Sequence, residues 1–85
     1  MPEKFELIGK NGDINGVLYM RYGSGIDDPK PFLLTLTPQY VARAIGKTPP
    51  ITFREMDKYA DQHAKALKAE ALVQKNQGST TLTLD

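Results

Sequence analysis

The spacing of apolar and polar positions divides the chain into strands first and helices second. Phe5 to Ile8 alternates with period two, which places Phe5 and Leu7 on one face of a strand. Asn11-Gly12 follows, a dipeptide that favours the left-handed conformations of a two-residue hairpin turn. A turn there sets Lys10 against Asp13 as a cross-strand pair of opposite charge, Phe5 against Leu18 and Leu7 against Gly16. Leu18 and Met20 then share the core face with Phe5 and Leu7, and Val17, Tyr19 and Arg21 point the other way with Glu6. A turn at Asn15-Gly16 would pair Gly12 with Tyr19 and lose the apolar match, so the first register is the expected one. The stretch GSGIDDPKP, residues 23–31, holds two Gly and two Pro and reads as a loop. FLLTLT then gives a third strand with Phe32, Leu34 and Leu36 on one face. No helix fits between the second and third strands, so the three form an antiparallel meander.

Helical signals begin at Thr37. Its side chain suits an N-cap, Pro38 suits the first helical position, and Leu36 with Val41 forms a hydrophobic staple. This helix is short, with Arg43 in its last turn and Gly46 at the left-handed C-terminal position. Thr52 and Glu55 form a capping box, with Ile51 and Met56 as its staple. No Gly or Pro follows until Gly78, so one long helix is expected over 53–76. At 100° per residue, Phe53, Met56, Ala60, Ala64, Leu67 and Ala71 lie on one stripe. TTLTL, residues 80–84, closes the chain as a short strand with Leu82 and Leu84 on one face. The expected architecture is α+β in a single small domain over 1–85: a three-stranded antiparallel meander, a short and a long helix packed on one face, and a short C-terminal strand joining the sheet. The third or the last strand is expected to leave an exposed edge, which can recruit a partner strand.

Composition sets the scale. Eighty-five residues, 40% hydrophobic, support one small core. The absence of cysteine excludes disulfides, thiolate metal sites and a cysteine nucleophile, and fits a reducing compartment. The N-terminal MPEKFELIGK has no apolar run of signal-peptide length and no segment could span a bilayer, so a cytoplasmic protein with no membrane partner is expected. The formal net charge of +1 is unevenly spread. Residues 1–28 carry more acids than bases, residues 29–51 carry Lys30, Arg43 and Lys47 with no acid, and the rest balance. This lacks the broad basic footprint of a nucleic-acid binder.

Several motifs imitate chemistry. The segment 37–56 resembles a helix-turn-helix in its letters, but Thr48 and Pro49 each precede a proline and the capping box moves the second helix to Thr52. Seven residues then separate the helices where a tight turn of about three or four is needed. Asn11-x-Asp13-x-Asn15-Gly16 imitates a calcium loop, but its twelfth position is Tyr22 instead of a bidentate Glu. GKNGDING has the glycines of a phosphate loop without the Lys-Ser/Thr ending. Asp27-Asp28 beside a proline reads as turn chemistry, and the lone His63 makes neither a metal site nor a triad. No catalytic residue, metal ligand or cofactor motif emerges.

A non-enzymatic protein that acts by binding a protein partner is therefore the first expectation. An inhibitor or adaptor of phage or plasmid type is one concrete form. Tyr19, Arg21, Tyr22 and Lys30 are the expected contact residues, because Tyr and Arg are favoured interface anchors. Leu72, on the polar side of the long helix, is the candidate for a homodimer contact. The alternative is a small DNA-binding regulator that uses Arg43, Lys47 and Arg54.

Overall fold

A computed structural model describes residues 4–85. Its elements follow the order β1 (Glu6–Gly12), β2 (Leu18–Gly23), β3 (Phe32–Leu36), α1 (Pro38–Ile45), α2 (Phe53–Gln62), α3 (Ala64–Asn76) and β4 (Thr81–Leu84). The sheet order is β1-β2-β3-β4, antiparallel through the first three strands and parallel between β3 and β4. The expected α+β class, the meander and the C-terminal strand in the sheet are all present.

Strict alternation builds the core. Leu18, Met20 and Tyr22 from β2 and Phe32, Leu34 and Leu36 from β3 are buried on one sheet face. Val41 and Ala42 of α1, Met56, Tyr59 and Ala60 of α2, and Leu67 and Ala71 of α3 cover them. Leu82 and Leu84 pair with Leu34 and Leu36 and extend this apolar face to the sheet edge.

The β1–β2 register differs from the expected two-residue turn. Gly12 pairs with Leu18 and Lys10 with Met20, and residues 13–17 form the loop. Asp13 organises that loop: its Oδ1 accepts from the Asn15 and Val17 N–H groups, and Gly16 takes a left-handed φ of 83°. The side-chain and main-chain bonds of this turn outweigh the two-residue signal of Asn11-Gly12. Lys10 thus faces α2 rather than Asp13. Its ammonium pairs with Asp57 at 2.5 Å and Asp61 at 3.2 Å, and these carboxylates raise its pKa despite partial burial. Lys10 and Phe5 are an odd number of residues apart, yet both face the helices. A bulge between Leu7 and Gly9 supplies the extra residue that reconciles them. Phe5 then stacks on Tyr22 at 5.4 Å and meets Phe32 edge-on. Leu7, expected inside, is 42% exposed.

The helix caps fall where the residues place them. Thr37 Oγ1 accepts from the Tyr40 N–H, and Gly46 closes α1 at φ 70°. The Thr52–Glu55 capping box is complete. The expected long helix, however, is two. At His63 the backbone leaves helical geometry, with φ −113° and ψ 23°. A continuous helix over 53–76 would run about 36 Å, roughly twice the length of the strands beneath it. The break stands off the core, with residues 61–66 all exposed. It lets α2 and α3 each return to the sheet. Ala64, expected on the buried stripe, is outside, and Phe53 is half-exposed above Gly12.

The Lys47 ammonium and then the Thr52 N–H hold the Glu55 carboxylate below the usual glutamate range. A folded pKa lower than the unfolded one contributes stability that is complete above the unfolded value and is lost as pH falls through the folded one. Melting temperature should therefore drop on acidification below about pH 4.5, the ordinary value of the group. Glu55→Gln should be less stable at pH 7 and show a shallower acid drop, checked by thermal melts from pH 7 to pH 3.

Candidate functional site

The expected contact residues do not converge. Tyr19 and Arg21 project from the outer face of β2, opposite the helices. The Tyr19 hydroxyl donates to Asp13 Oδ2 at 3.0 Å, and the Arg21 guanidinium lies over Gly9. Tyr22 belongs to the opposite face and is 2% exposed, so it is a core residue and not a contact residue. Strict alternation from Leu18 and Met20 already points it inward. Lys30 sits in the β2–β3 loop, where its N–H donates to Asp28 Oδ1. Asp28 also accepts from the Ser24 N–H, and these main-chain donors hold its carboxyl below the usual range. That is the turn chemistry expected of Asp27-Asp28. Leu72 lies on α3, in the helix layer, 38% exposed.

The basic alternative meets a similar division. Arg43 and Lys47 line one shallow hollow at the end of α1, together with Gln39 and Pro49. Lys47 pairs with Glu55 at 2.6 Å, which places a carboxylate inside the basic patch. Arg54 is exposed in the first turn of α2. Residues 46–52 separate α1 from α2 and bend at a cis Pro49–Pro50 peptide, so no tight helix-turn-helix turn forms. Among the described residues, no three His, Asp or Glu side chains gather as a metal site requires. No helix there is long and apolar enough to cross a membrane.

His63 stacks on Tyr59 at 4.3 Å, and Tyr59 meets Tyr40 edge-on at 6.2 Å. Burial, then the Tyr40 hydroxyl, raise the Tyr59 pKa. This aromatic group braces the junction of α1, α2 and α3. Ile14 and Ile26 stand exposed at the tips of the two hairpin loops, at opposite ends of the sheet.

The feature that combines shape and chemistry lies at the other sheet edge. An open groove of about 480 Å³ runs between α3 and β4, lined by Ala69, Glu70, Val73, Gln74, Leu82 and Leu84. Val73 is 52% exposed there. The groove borders a strand with one unpaired side. Thr80 O accepts from the Leu33 N–H and Leu84 O from the Thr37 N–H. Main-chain groups alternate sides along a strand, so Leu82 also faces β3, and the N–H and C=O of Thr81 and Thr83 point outward. Thr37 Oγ1 adds a second bond to Leu84 O at 3.0 Å while capping α1, which pins the end of β4 in place.

The two sheet edges differ in their defences. β1 carries a bulge and the charged Glu6 and Lys10, devices that oppose strand addition. β4 is short, but between Gly78 and Asp85 it holds no charge, no proline and no bulge. Val73, Ala69 and Glu70 were not among the residues expected to make contacts. The signal available for them was the uncharged TTLTL together with the spacing of three and four residues on one helix side. No family model, curated protein or solved structure matches the chain.

The placement of the two tyrosines has a direct consequence for stability. Tyr22→Ala should cost about 3 kcal/mol by opening a cavity beneath Phe5 and Phe32. Tyr19→Ala should cost less than about 1 kcal/mol. Urea unfolding of both variants checks the ranking.

Proposed function

We propose that this chain is a non-enzymatic binding module that recruits a protein partner by sheet extension at β4. The observation that carries this reading is the outward edge of Thr81 and Thr83 beside the apolar α3–β4 groove. Strand addition uses main-chain hydrogen bonds for affinity and flanking pockets for alternate side chains, and this edge offers both. The opposite edge is blunted, so extension has one direction. Tyr19 and Arg21 lie on the outer sheet face, where they would add contacts to a partner that wraps past the edge. An inhibitor or adaptor acts in this way, by occupying a partner rather than transforming a substrate. The cysteine-free composition suits a reducing, cytoplasmic setting. Leu72 does not line the α3–β4 groove, so the homodimer contact expected of it would be separate from this edge.

The DNA reading keeps one supporting observation, the shared hollow of Arg43 and Lys47. It predicts affinity that falls steeply with salt. The Lys47–Glu55 pair weakens it.

Thr83→Pro separates the readings. Proline removes the outward N–H at this position and is tolerated where that N–H faces solvent. The tagged chain and its Thr83→Pro variant are used to capture proteins from source lysate, with and without nuclease. A stoichiometric protein held by the parent chain, resistant to nuclease and lost from Thr83→Pro at nearly unchanged melting temperature, is the expected result. Capture that ignores Thr83→Pro contradicts β4 extension, and capture that vanishes with nuclease moves the function to Arg43 and Lys47.

A further inference from the structure

Resting on the reading of β4 as a docking edge, we propose that its occupant is a strand from a different protein, apolar at alternate positions and carrying a lysine or arginine that pairs with Glu70. A strand added beside β4 turns every second side chain toward the helix layer. Those side chains enter a groove walled by Ala69, Val73, Leu82 and Leu84, which favours apolar groups there. The intervening side chains fall level with Thr81 and Thr83 on the outer face and carry no such demand.

Glu70 sets the charge. Among the described residues it is the one ionisable side chain lining the groove, and it makes no ion pair with them. A docked strand would strip water from its carboxylate, which is unfavourable unless an opposite charge arrives with the strand. A basic side chain at one inward position supplies that charge and fixes the register of docking.

The same carboxylate decides against a second copy. Two β4 strands could pair antiparallel about Thr83, leaving leucines on the helix side and threonines on the outer side, so the backbone permits the contact. A two-fold interface is isologous, however, and would bring both Glu70 carboxylates to one seam. Neither groove lining offers a cation to offset them. Like charges in a partly desolvated seam oppose association, whereas a foreign basic strand relieves the same site.

The test is a selection of phage-displayed random peptides, about twelve residues long, on the immobilised full chain, with the Thr83→Pro chain as the subtractive surface. Enriched peptides are synthesised. Their affinities are measured by fluorescence anisotropy for the parent chain, Glu70→Gln, Glu70→Lys and Thr83→Pro, and their sites by amide chemical shifts. The expected peptides alternate apolar residues with one basic residue at a fixed position, shift the Thr81 and Thr83 amides, and lose binding to Thr83→Pro. Glu70→Gln should weaken them about tenfold and Glu70→Lys more, while Glu70→Lys should gain peptides that carry Glu in place of the basic residue. Peptides that dock on β4 without a basic preference, or indifferently to Glu70→Gln, overturn the charged-strand proposal and leave sheet extension standing. Failure to enrich any peptide that depends on Thr83 overturns both. A concentration-dependent dimer in sedimentation that perturbs the Thr81 and Thr83 amides overturns the assignment to a different protein.

Discussion

The burial of one sheet face, formed by Leu18 and Met20 on β2 and Leu34 and Leu36 on β3, is the constraint around which the other elements are arranged. Residues on the second face such as Tyr19, Arg21, Leu33 and Thr35 are half-buried or exposed, and the helices cover the buried face. β1 must keep both Lys10 and Phe5 on that side despite their odd spacing, and it does so with a bulge. A continuous helix over 53–76 would overrun the sheet, and the break at His63 divides it into two segments that fit. Leu82 and Leu84 complete the face by pairing β4 parallel to β3, and the crossover through the three helices makes that direction possible.

This arrangement leaves the two edges unequal. β1 is tied to α2 through the Lys10 ion pairs and distorted by its bulge. β4 is held on one edge by Leu33 and Thr37, while its open edge borders an apolar groove on the helix side. Leu82 and Leu84 are only half-buried because α3 does not close over them. An added strand would complete the burial that the chain itself leaves unfinished, which links the packing of the core to the proposed binding. The ionisable Glu70 within that groove gives the incomplete edge a chemical preference as well as a shape.

Much of the fold was legible because its signals are local. Thr37, Gly46, Thr52 and Glu55 each bond within a few residues, so their roles follow from spacing alone. Alternation sufficed for Leu18, Met20, Leu34 and Leu36. The β1–β2 register was not legible, because it depends on Asp13 bridging to Val17 and on Lys10 reaching Asp57 across the fold. The break at His63 has no Gly or Pro to announce it; it follows from helix length against sheet length. For the candidate site, the open edge and the leucines of TTLTL were visible, but Val73 and Glu70 become neighbours of that strand only after the chain folds back. Tyr22 shows a different lesson. Its type suggested a surface anchor, while its place in the alternation required burial, and the alternation prevailed.

β4 is paired with β3 along one edge, and its other edge is open. Native-state amide hydrogen exchange of the chain at low concentration tests this arrangement residue by residue. Strong protection is expected for Leu82 and Leu84, whose N–H groups face β3, and fast exchange for Thr81 and Thr83, whose N–H groups face outward. Protection of Thr81 and Thr83 equal to that of their neighbours would contradict it, because the edge would then already be occupied.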